Sequence, residues 1–411
     1  MDYRPTVFVP SNDDSEWKTL DGRNAIANRP GSISDTRNFI KKYAGVDSFE
    51  VHGNYNPQYC HINEEFPNEI PYVEDQIRIA FLDIETDTAG GFADPEDPWQ
   101  PITAIGVSVN DKTHVFGCKV YHAKSEDVTY YHCETEADLL REFLRVWEDL
   151  DPDIITGWNV QFFDVPYMVN RITRVLNATQ AKRLSPWKKF SYRNAIIHGK
   201  EQQAITFVGR SILDYMELYK KFTYTQRESY RLDHIAHVED KKLAYSEYES
   251  LGELYEKDYE KFIDYNIQDV ELIKRLENKM KLLNMAITLA YSAKVNYNDV
   301  FSQVRMWDTM IHNYLYARNI VIPEKDTGIK DSQYVGAYVK EPIVGMHEWI
   351  VSFDLASMYP MLISQYNLSP ETLDGEFIGV SIDDLVNKTA DTSKAHQLNL
   401  SLAANGHTFR S

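Results

Sequence analysis

Hydrophobic side chains recur at every second position from Ile77 through Ile79 to Phe81. This period of two predicts a β-strand with one apolar face. The same face continues with Asp83 and Glu85, so the apolar stripe ends in two carboxylates. Acids at the buried end of a strand need a counter-charge, and a divalent metal ion with oxygen ligands is the usual one. The alternative is an edge strand that carries inward-pointing charges against aggregation.

The pattern beyond this strand predicts neighbouring strands and a covering helix. Two apolar runs, at residues 102–109 and 113–120, suit an antiparallel meander. Apolar residues then recur at helical spacing between residues 139 and 150. Thr135 and Asp138 can form the capping box of that helix.

A short strand at residues 153–156 leads into a second predicted helix, which begins near Asp164. The positive end of a helix favours the ionised form of an aspartate such as Asp164. A simple helix cap is the alternative role for this residue. A β-hairpin is predicted next, at residues 194–207.

A long helix is predicted from residue 258 to residue 283. Within it, Tyr265 and Asp269 are four residues apart, so they lie on the same face, among apolar neighbours. For a single buried aspartate, a satisfied hydrogen bond in the core is the alternative interpretation.

The two ends of the chain carry fewer chemical signals. Residues 1–76 combine turn residues, short strands and one helix, and residues 284–325 return to helix and strand. We expect these two stretches to form one N-terminal α+β domain. Residues 349–354 repeat the opening pattern, an apolar strand that ends in an acid, Asp354.

Composition narrows the class of protein. A chain of 411 residues with 43% hydrophobic residues predicts two or three globular domains. The formal net charge of −19 opposes non-specific adhesion to nucleic acid, so any nucleic acid must be held in a groove whose sign differs from the average. The three cysteines lack CxxC spacing, which supports neither a disulfide framework nor a zinc site and favours a reducing cytoplasm. No apolar run approaches the length of a membrane span.

Four acids form a set in chain order: Asp83 and Glu85 on a strand, Asp164 at a helix start and Asp269 late on a helix. Four converging carboxylates repel one another unless cations hold them. Two Mg²⁺ ions, with Mn²⁺ as an alternative, would satisfy them, and Tyr265 could orient an attacking water. A strand meander with flanking helices predicts an α/β (α+β) fold with a mixed sheet, like that of ribonuclease H.

These residues carry a resemblance. The chain resembles the family B DNA polymerases, in particular the replicative enzymes of T-even-type bacteriophages. Three segments resemble the exonuclease motifs of the proofreading domain: FLDIET (81–86), TGWNVQFFDVPYMVNRI (156–172) and YNIQD (265–269). Three more resemble segments of the phage enzymes: AKRLSP (181–186), LDYMELYKKF (213–222) and YVGAYVKEP (334–342). The resemblance implies proofreading 3′→5′ hydrolysis of DNA with two metal ions per site.

The resemblance also implies contacts to DNA. Phe92 matches an aromatic residue that wedges among unpaired bases, and Asn159 matches a residue that contacts the primer terminus. An aromatic face stacks on any base, as a proofreader that ignores sequence requires. Tyr334, Gly336 and Ala337 match a DNA-contacting loop between the two active sites, with an ordinary turn as the alternative.

By the same resemblance, residues 354–360 match the first polymerase motif. Asp354 would bind both catalytic metal ions and the Leu355 carbonyl one of them. Ser357 would contact the triphosphate, and Tyr359 would exclude a 2′-hydroxyl. The sequence after Pro360 departs from the family, because it lacks the nucleotide-binding helix and the Asp-Thr-Asp hairpin. The polymerase site is therefore expected to be incomplete, in either a truncated sequence or one half of a split polymerase.

The main hypothesis divides the chain into an exonuclease domain, an N-terminal domain in two parts and the start of a polymerase palm: residues 77–283, residues 1–76 with 284–325, and residues 326–411. The alternatives are a free-standing 3′→5′ exonuclease and a non-catalytic half that binds primer–template DNA. Expected partners are DNA, a C-terminal polymerase chain, a sliding clamp and other replisome proteins, without a membrane. The expected location is the cytoplasm of the infected bacterial host.

Overall fold

The computed structural model describes the following residues: 3–46, 49–88, 91–197, 200–240, 251–323, 341–376, 384–385, 387–403 and 406–410. The chain divides into two compact units, residues 1–328 and residues 329–411. In the part of the chain described here, none of the helices has the length and apolar character needed to cross a membrane.

The strands of the first unit are β1 (Val7–Pro10), β2 (Trp17–Thr19), β3 (Asn24–Asn28), β4 (Ile79–Thr86), β5 (Ile102–Val109), β6 (Lys112–Gly117), β7 (Val128–His132), β8 (Ile154–Thr156), β9 (Phe190–Ile197), β10 (Lys200–Phe207), β11 (Ser211–Ile212) and β12 (Ile320–Val321). Its helices are α1 (Ile33–Tyr43), α2 (Pro57–Glu65), α3 (Glu136–Leu150), α4 (Asp164–Val175), α5 (Ala178–Ala181), α6 (Tyr215–Phe222), α7 (Leu232–Asp240), α8 (Leu251–Lys257), α9 (Tyr259–Met280), α10 (Leu282–Ala293) and α11 (Gln303–Tyr316). Short 3₁₀ helices occur at Glu74–Gln76, Lys182–Leu184 and Tyr297–Phe301.

The central sheet has six strands in the order β11-β8-β4-β5-β6-β7. Strand β4 pairs antiparallel with β5 and parallel with β8, so it is hydrogen-bonded on both edges. This mixed sheet confirms the predicted α/β (α+β) class. The edge-strand alternative for β4 is wrong, because an edge strand has an unpaired side.

Both faces of β4 are covered. Leu82 and Ile84 join a core that includes Phe143 of α3 and Ile172 of α4. Phe81 packs on the opposite core, which contains residues of α9 and α10. A strand buried on both faces is typical of sheets with helices on each side.

A second, four-stranded sheet has the order β1-β3-β2-β12. Its last strand comes from late in the chain, because β12 pairs in parallel with β2 at Lys18 and Thr19. The structure therefore joins the early strands to residues far downstream.

Several element boundaries differ from the expectations. The described part of residues 1–76 has a second helix, α2, besides α1, which Ser32 caps through its hydroxyl, whereas the sequence indicated one helix. The helix expected at 258–283 ends at Met280, because Lys281 takes a left-handed conformation with φ of 58° and separates α9 from α10. Strand β7 was missed, because its residues are mostly polar or half-exposed and it runs parallel to β6.

The second unit contains α12 (Met358–Tyr366), β13 (Leu373–Glu376), α13 (Ser393–Gln397), β14 (Leu400–Leu402) and β15 (His407–Arg410). The three strands form an antiparallel sheet in the order β13-β15-β14. The strand expected at residues 349–354 is wrong, since the structure has no strand there and every one of these side chains is exposed. No other strand in the described parts of the chain pairs with this stretch, and an isolated strand leaves its backbone groups unpaired.

Candidate active site

Strand β4 presents Asp83 and Glu85 opposite small residues. In the β4–β5 ladder, Asp83 faces Gly106 and Glu85 faces Ala104. Small residues at these positions leave room above the sheet for carboxylates and for the helix that covers them. The register shifts by one residue just after Glu85, and such a bulge bends the strand at the end of the site.

Helix α9 supplies the third acid. One carboxylate oxygen from each of Asp83, Glu85 and Asp269 lies within 4.8 Å of the others. Glu85 is buried, and the other two are half-buried. Three carboxylates from two different elements therefore converge on one small volume.

Asp164, the fourth predicted acid, is buried at the first residue of α4 with an exposed fraction of 4%. Its Oδ1 accepts a hydrogen bond from the Ile84 N–H at 3.1 Å, so the side chain is directed at β4. The N-cap position of α4 belongs to Phe163, which has no side-chain cap, and the Asp164 carboxylate also accepts from its own backbone N–H. Asp164 therefore contacts the N-terminal backbone of α4 and also lies beside the three clustered acids.

The electrostatics of the four acids reflect their crowding. Burial, reinforced by repulsion from Glu85, raises the pKa of Asp83 well above its usual range. Burial likewise raises the pKa of Glu85, with repulsion from Asp269 and Asp164. Burial raises the pKa values of Asp164 and Asp269 to about 7 each. Without a cation, these carboxyls hold protons that ordinary carboxyls release.

Tyr265 lies next to this cluster and hydrogen-bonds Asp269 through its hydroxyl. Burial raises the pKa of Tyr265, and repulsion from Asp269 raises it further. The hydroxyl therefore stays protonated and acts as a donor at neutral pH.

Sequence reasoning missed Asn266, which follows Tyr265 in the chain. Its side chain has an exposed fraction of 0%, and its Nδ2 donates to Asp83 Oδ2 at 2.7 Å. The available signal was an amide at a buried helix position within the segment that carries Tyr265 and Asp269.

Asp214 is a second residue without a predicted role. It caps α6 and also accepts the Gln161 N–H at 2.9 Å. These contacts fasten the loop before α4 to the start of α6. Burial raises the pKa of Asp214 to about 6.

The two expected DNA contacts lie near the start of α4. Phe92 is 91% exposed, and its ring centroid is 5.8 Å from that of Phe163. Asn159 has a left-handed φ of 64°, and its carbonyl accepts the N–H groups of Phe162 and Phe163. An exposed aromatic ring supported by a second ring suits base stacking.

The residues expected at the polymerase site are either exposed or outside the described part of the chain. Tyr334, Gly336 and Ala337 lie outside the described residues. The side chains of four residues in the second unit are exposed: Asp354, Leu355, Ser357 and Tyr359. Among the described residues, Asp83, Glu85 and Asp269 form a cluster of acids that could hold a metal ion. In the same described ranges, Asp354 does not belong to such a cluster.

Comparison with known families gives two matches. Residues 41–235 match the family described as DNA polymerase family B, exonuclease domain. Residues 299–409 match the family described as DNA polymerase family B. Together the matches cover well over half of the chain. Exonuclease domains of this family are ribonuclease H-like and generally depend on divalent metal ions, which agrees with the mixed sheet and the acidic cluster.

Individual relatives are similar along most of the chain. The DNA-directed DNA polymerase of Escherichia phage RB69 is 32% identical over 95% of this chain and 46% of its own length. The corresponding enzyme of Enterobacteria phage T4 is 31% identical with the same coverage. The DNA polymerase delta catalytic subunit of Schizosaccharomyces pombe is 25% identical over 81% of this chain. The chain spans about half the length of the phage enzymes. By these matches and by its fold, the chain belongs to the family B DNA polymerases.

Proposed function

We propose that the chain hydrolyses the terminal phosphodiester at the 3′ end of DNA. The observation that carries this proposal is the cluster of Asp83, Glu85 and Asp269, whose carboxylate oxygens lie within 4.8 Å of one another beside a tyrosine donor. A phosphodiester is anionic, so an acidic site can accept it only when cations are present.

The donor set fits two Mg²⁺ ions, with Mn²⁺ as a substitute. The set contains carboxylate oxygens, which hard divalent cations prefer over softer metals. Asp83, Glu85 and Asp269 would hold the ions, with Asp164 beside them. When bound, such ions polarise the phosphate and lower the pKa of water.

The side chains of the chain perform the remaining tasks. The four acids give up protons they would otherwise keep, so binding of the ions releases protons. Tyr265 donates from its hydroxyl and can hold a water in place beside Asp269. Phe92 offers an exposed ring on which a base can stack, and Asn159 lies in the turn before α4, where it can contact the 3′ terminus.

We also propose a domain division and a wider role. Residues 77–283 act as the exonuclease domain, residues 1–76 with 284–325 as the N-terminal domain, and residues 326–411 as the start of a polymerase palm. In the palm, Asp354 and the Leu355 carbonyl would bind metal ions, and Ser357 and Tyr359 would contact the nucleotide, at a site that other residues must complete. The family match at residues 41–235 supports the presence of an exonuclease domain, and the match at residues 299–409 supports the presence of a polymerase segment.

The proposed setting is DNA replication in the cytoplasm of an infected bacterial host. The similarity to the DNA polymerases of two phages supports it. Primer–template DNA, with Tyr334, Gly336 and Ala337 in the contact loop, is the first proposed partner. A C-terminal polymerase chain, a sliding clamp and other replisome proteins are further partners of the same proposal.

Degradation of single-stranded DNA labelled at its 5′ end tests the proposal. The full chain with Mg²⁺ should shorten the DNA stepwise from the 3′ end, and Asp83→Ala should abolish the reaction. Asp127→Ala, an exposed acid in a loop, is the matched control and should retain full activity. Undiminished digestion by Asp83→Ala would refute the proposal. DNA binding by the wild-type chain without digestion would instead favour the non-catalytic alternative.

A further inference from the structure

Asn266 joins two elements that carry acids of the candidate active site. It lies on α9, three residues before Asp269, and its Nδ2 donates to Asp83 Oδ2 on β4 at 2.7 Å. A longer contact of 3.5 Å joins the same nitrogen to the Asp83 carbonyl oxygen. The amide therefore ties the helix to the strand at the point where their carboxylates meet.

Gly106 makes room for this amide. It faces Asp83 in the β4–β5 ladder, and a Cβ added to it would lie 2.4 Å from Asn266 Oδ1. The backbone of Gly106 does not have a positive φ, so its conformation does not require glycine. Glycine within a strand often marks close approach of another group, which here is the Asn266 side chain.

Burying the Asn266 amide costs free energy, and this cost indicates that the amide has a role beyond packing. Asn266 Oδ1 is buried and has no hydrogen-bond partner among the described residues. A buried polar atom without a partner costs roughly 1–3 kcal/mol. A residue that served packing alone would avoid this cost with an apolar side chain. The amide instead directs its donor at a carboxylate that would hold a metal ion.

We propose that Asn266 is a positioning residue for the metal ions of the candidate active site. It fixes the rotation of the Asp83 carboxylate by holding Oδ2, and it thereby sets the distance between Asp83 and Asp269. Gly106 is the steric partner that allows this contact. The inference rests on the proposed function, because it assigns a role toward ions that the acids would bind. Mutation of a group that orients a metal ligand typically lowers metal affinity by about 10–100-fold.

The test is a titration of the full chain with Mn²⁺, in which electron paramagnetic resonance measures free Mn²⁺ without DNA. Asn266→Ala should weaken Mn²⁺ binding by about tenfold or more. Asn278→Ala is the matched control, because it makes the same change at an exposed position of the same helix and should leave the affinity unchanged. Thermal unfolding in EDTA reports separately whether the fold is intact.

Gly106→Ala provides an independent perturbation that keeps every polar group of the site. The added methyl group should displace the amide and weaken Mn²⁺ binding in the same way. In the double variant with Asn266→Ala, the second substitution should add little further loss, because the two act through one contact.

Wild-type Mn²⁺ affinity in Asn266→Ala, with DNA hydrolysis by the wild-type chain intact, would overturn this inference alone. Wild-type affinity in Gly106→Ala would overturn it too, even if Asn266→Ala failed to fold. Fully additive losses in the double variant would show that the two residues act separately and would also contradict it. A different result would contradict the proposed function itself. In that case the wild-type chain would lack an Asp83-dependent Mn²⁺ site or would leave DNA intact.

Discussion

Two stretches of the chain have the same pattern and different structures. Residues 77–85 and residues 349–354 both read as an apolar strand that ends in an acid. The first is strand β4, which is paired on both edges and covered on both faces. In the second, Trp349 is 96% exposed and Phe353 is 91% exposed, with no strand formed.

The difference shows that a strand pattern defines a site only when neighbours complete it. Strand β4 gains its pairing from β5 and β8 and its third acid from α9. These neighbours bury Glu85 and raise the pKa values of the acids around it. Asp354 has no such surroundings in the described residues of its unit, so the same pattern there carries an acid without a clustered site.

The largest expected effect comes from removing an acid at each place: Asp269, which α9 supplies beside β4, and Asp354, which ends the second stretch. Asp269→Ala should reduce 3′→5′ hydrolysis of single-stranded DNA by on the order of 10³-fold, because it deletes a member of the acidic cluster. Asp354→Ala should leave hydrolysis unchanged. Rates from single-turnover digestion in Mg²⁺ measure both. Equal losses in the two variants would contradict the distinction between the stretches.

Limited proteolysis measures the difference in exposure. Chymotrypsin should cleave beside Trp349 and Phe353 at least about 100-fold faster than beside Phe81, because cleavage in a doubly paired strand requires that strand to open. Mass spectrometry of early fragments identifies the cleaved bonds. Early cleavage within β4 would show that the two stretches are equally accessible.

Exposed aromatic residues in the two units should differ in their contribution to DNA binding, with a smaller expected effect. Phe92→Ala should weaken binding of single-stranded DNA by about tenfold in Ca²⁺, since stacking on one base contributes roughly 1–3 kcal/mol. Trp349→Ala is the control, because its side chain is as exposed and lies in the other unit. Fluorescence anisotropy of a short labelled strand measures both affinities. An unchanged affinity in Phe92→Ala would remove its assigned contact.

The smallest expected effect is a pH dependence of stability. The pKa values of Asp164 and Asp269 are raised to about 7 in the folded chain, against about 4 in an unfolded one. The folded chain therefore binds more protons, and stability present below pH 4 is lost as pH rises toward 7. In EDTA, Tm should fall by several degrees between pH 5 and pH 8, and Mg²⁺ should reverse much of the loss at pH 8.

Substitution checks the source of this dependence. Asp164→Asn keeps an acceptor for the Ile84 N–H and removes one titrating group, so it should flatten the slope of Tm against pH. Asp354→Asn should leave the slope as it is. A slope in Asp164→Asn equal to that of the wild-type chain would assign the dependence to other groups.

The sequence predicted those parts of the site that depend on local periodicity. A period of two put Asp83 and Glu85 on one face, and a spacing of four put Tyr265 beside Asp269. The motif order then indicated the family, which the comparisons confirm.

The missed features depend on contacts between distant elements. The role of Asn266 needs α9 to lie across β5 at Gly106, which no local pattern specifies. The direction of Asp164 toward Ile84 depends on how α4 meets the sheet. Strand β7 gains its place from parallel pairing with β6, and its own residues lack a strong apolar alternation.

The contact between β4 and α9 also bears on how the chain folds during its synthesis. Asp83 and Asn266 are separated by 183 residues, and α9 brings them together. Contacts of such high sequence separation form slowly, and protein synthesis proceeds at about 5–20 residues per second. A nascent chain on the ribosome therefore carries Asp83 and Glu85 for many seconds before α9 can complete the acidic cluster. The contact order of the fold delays assembly of the cluster until α9 has been translated.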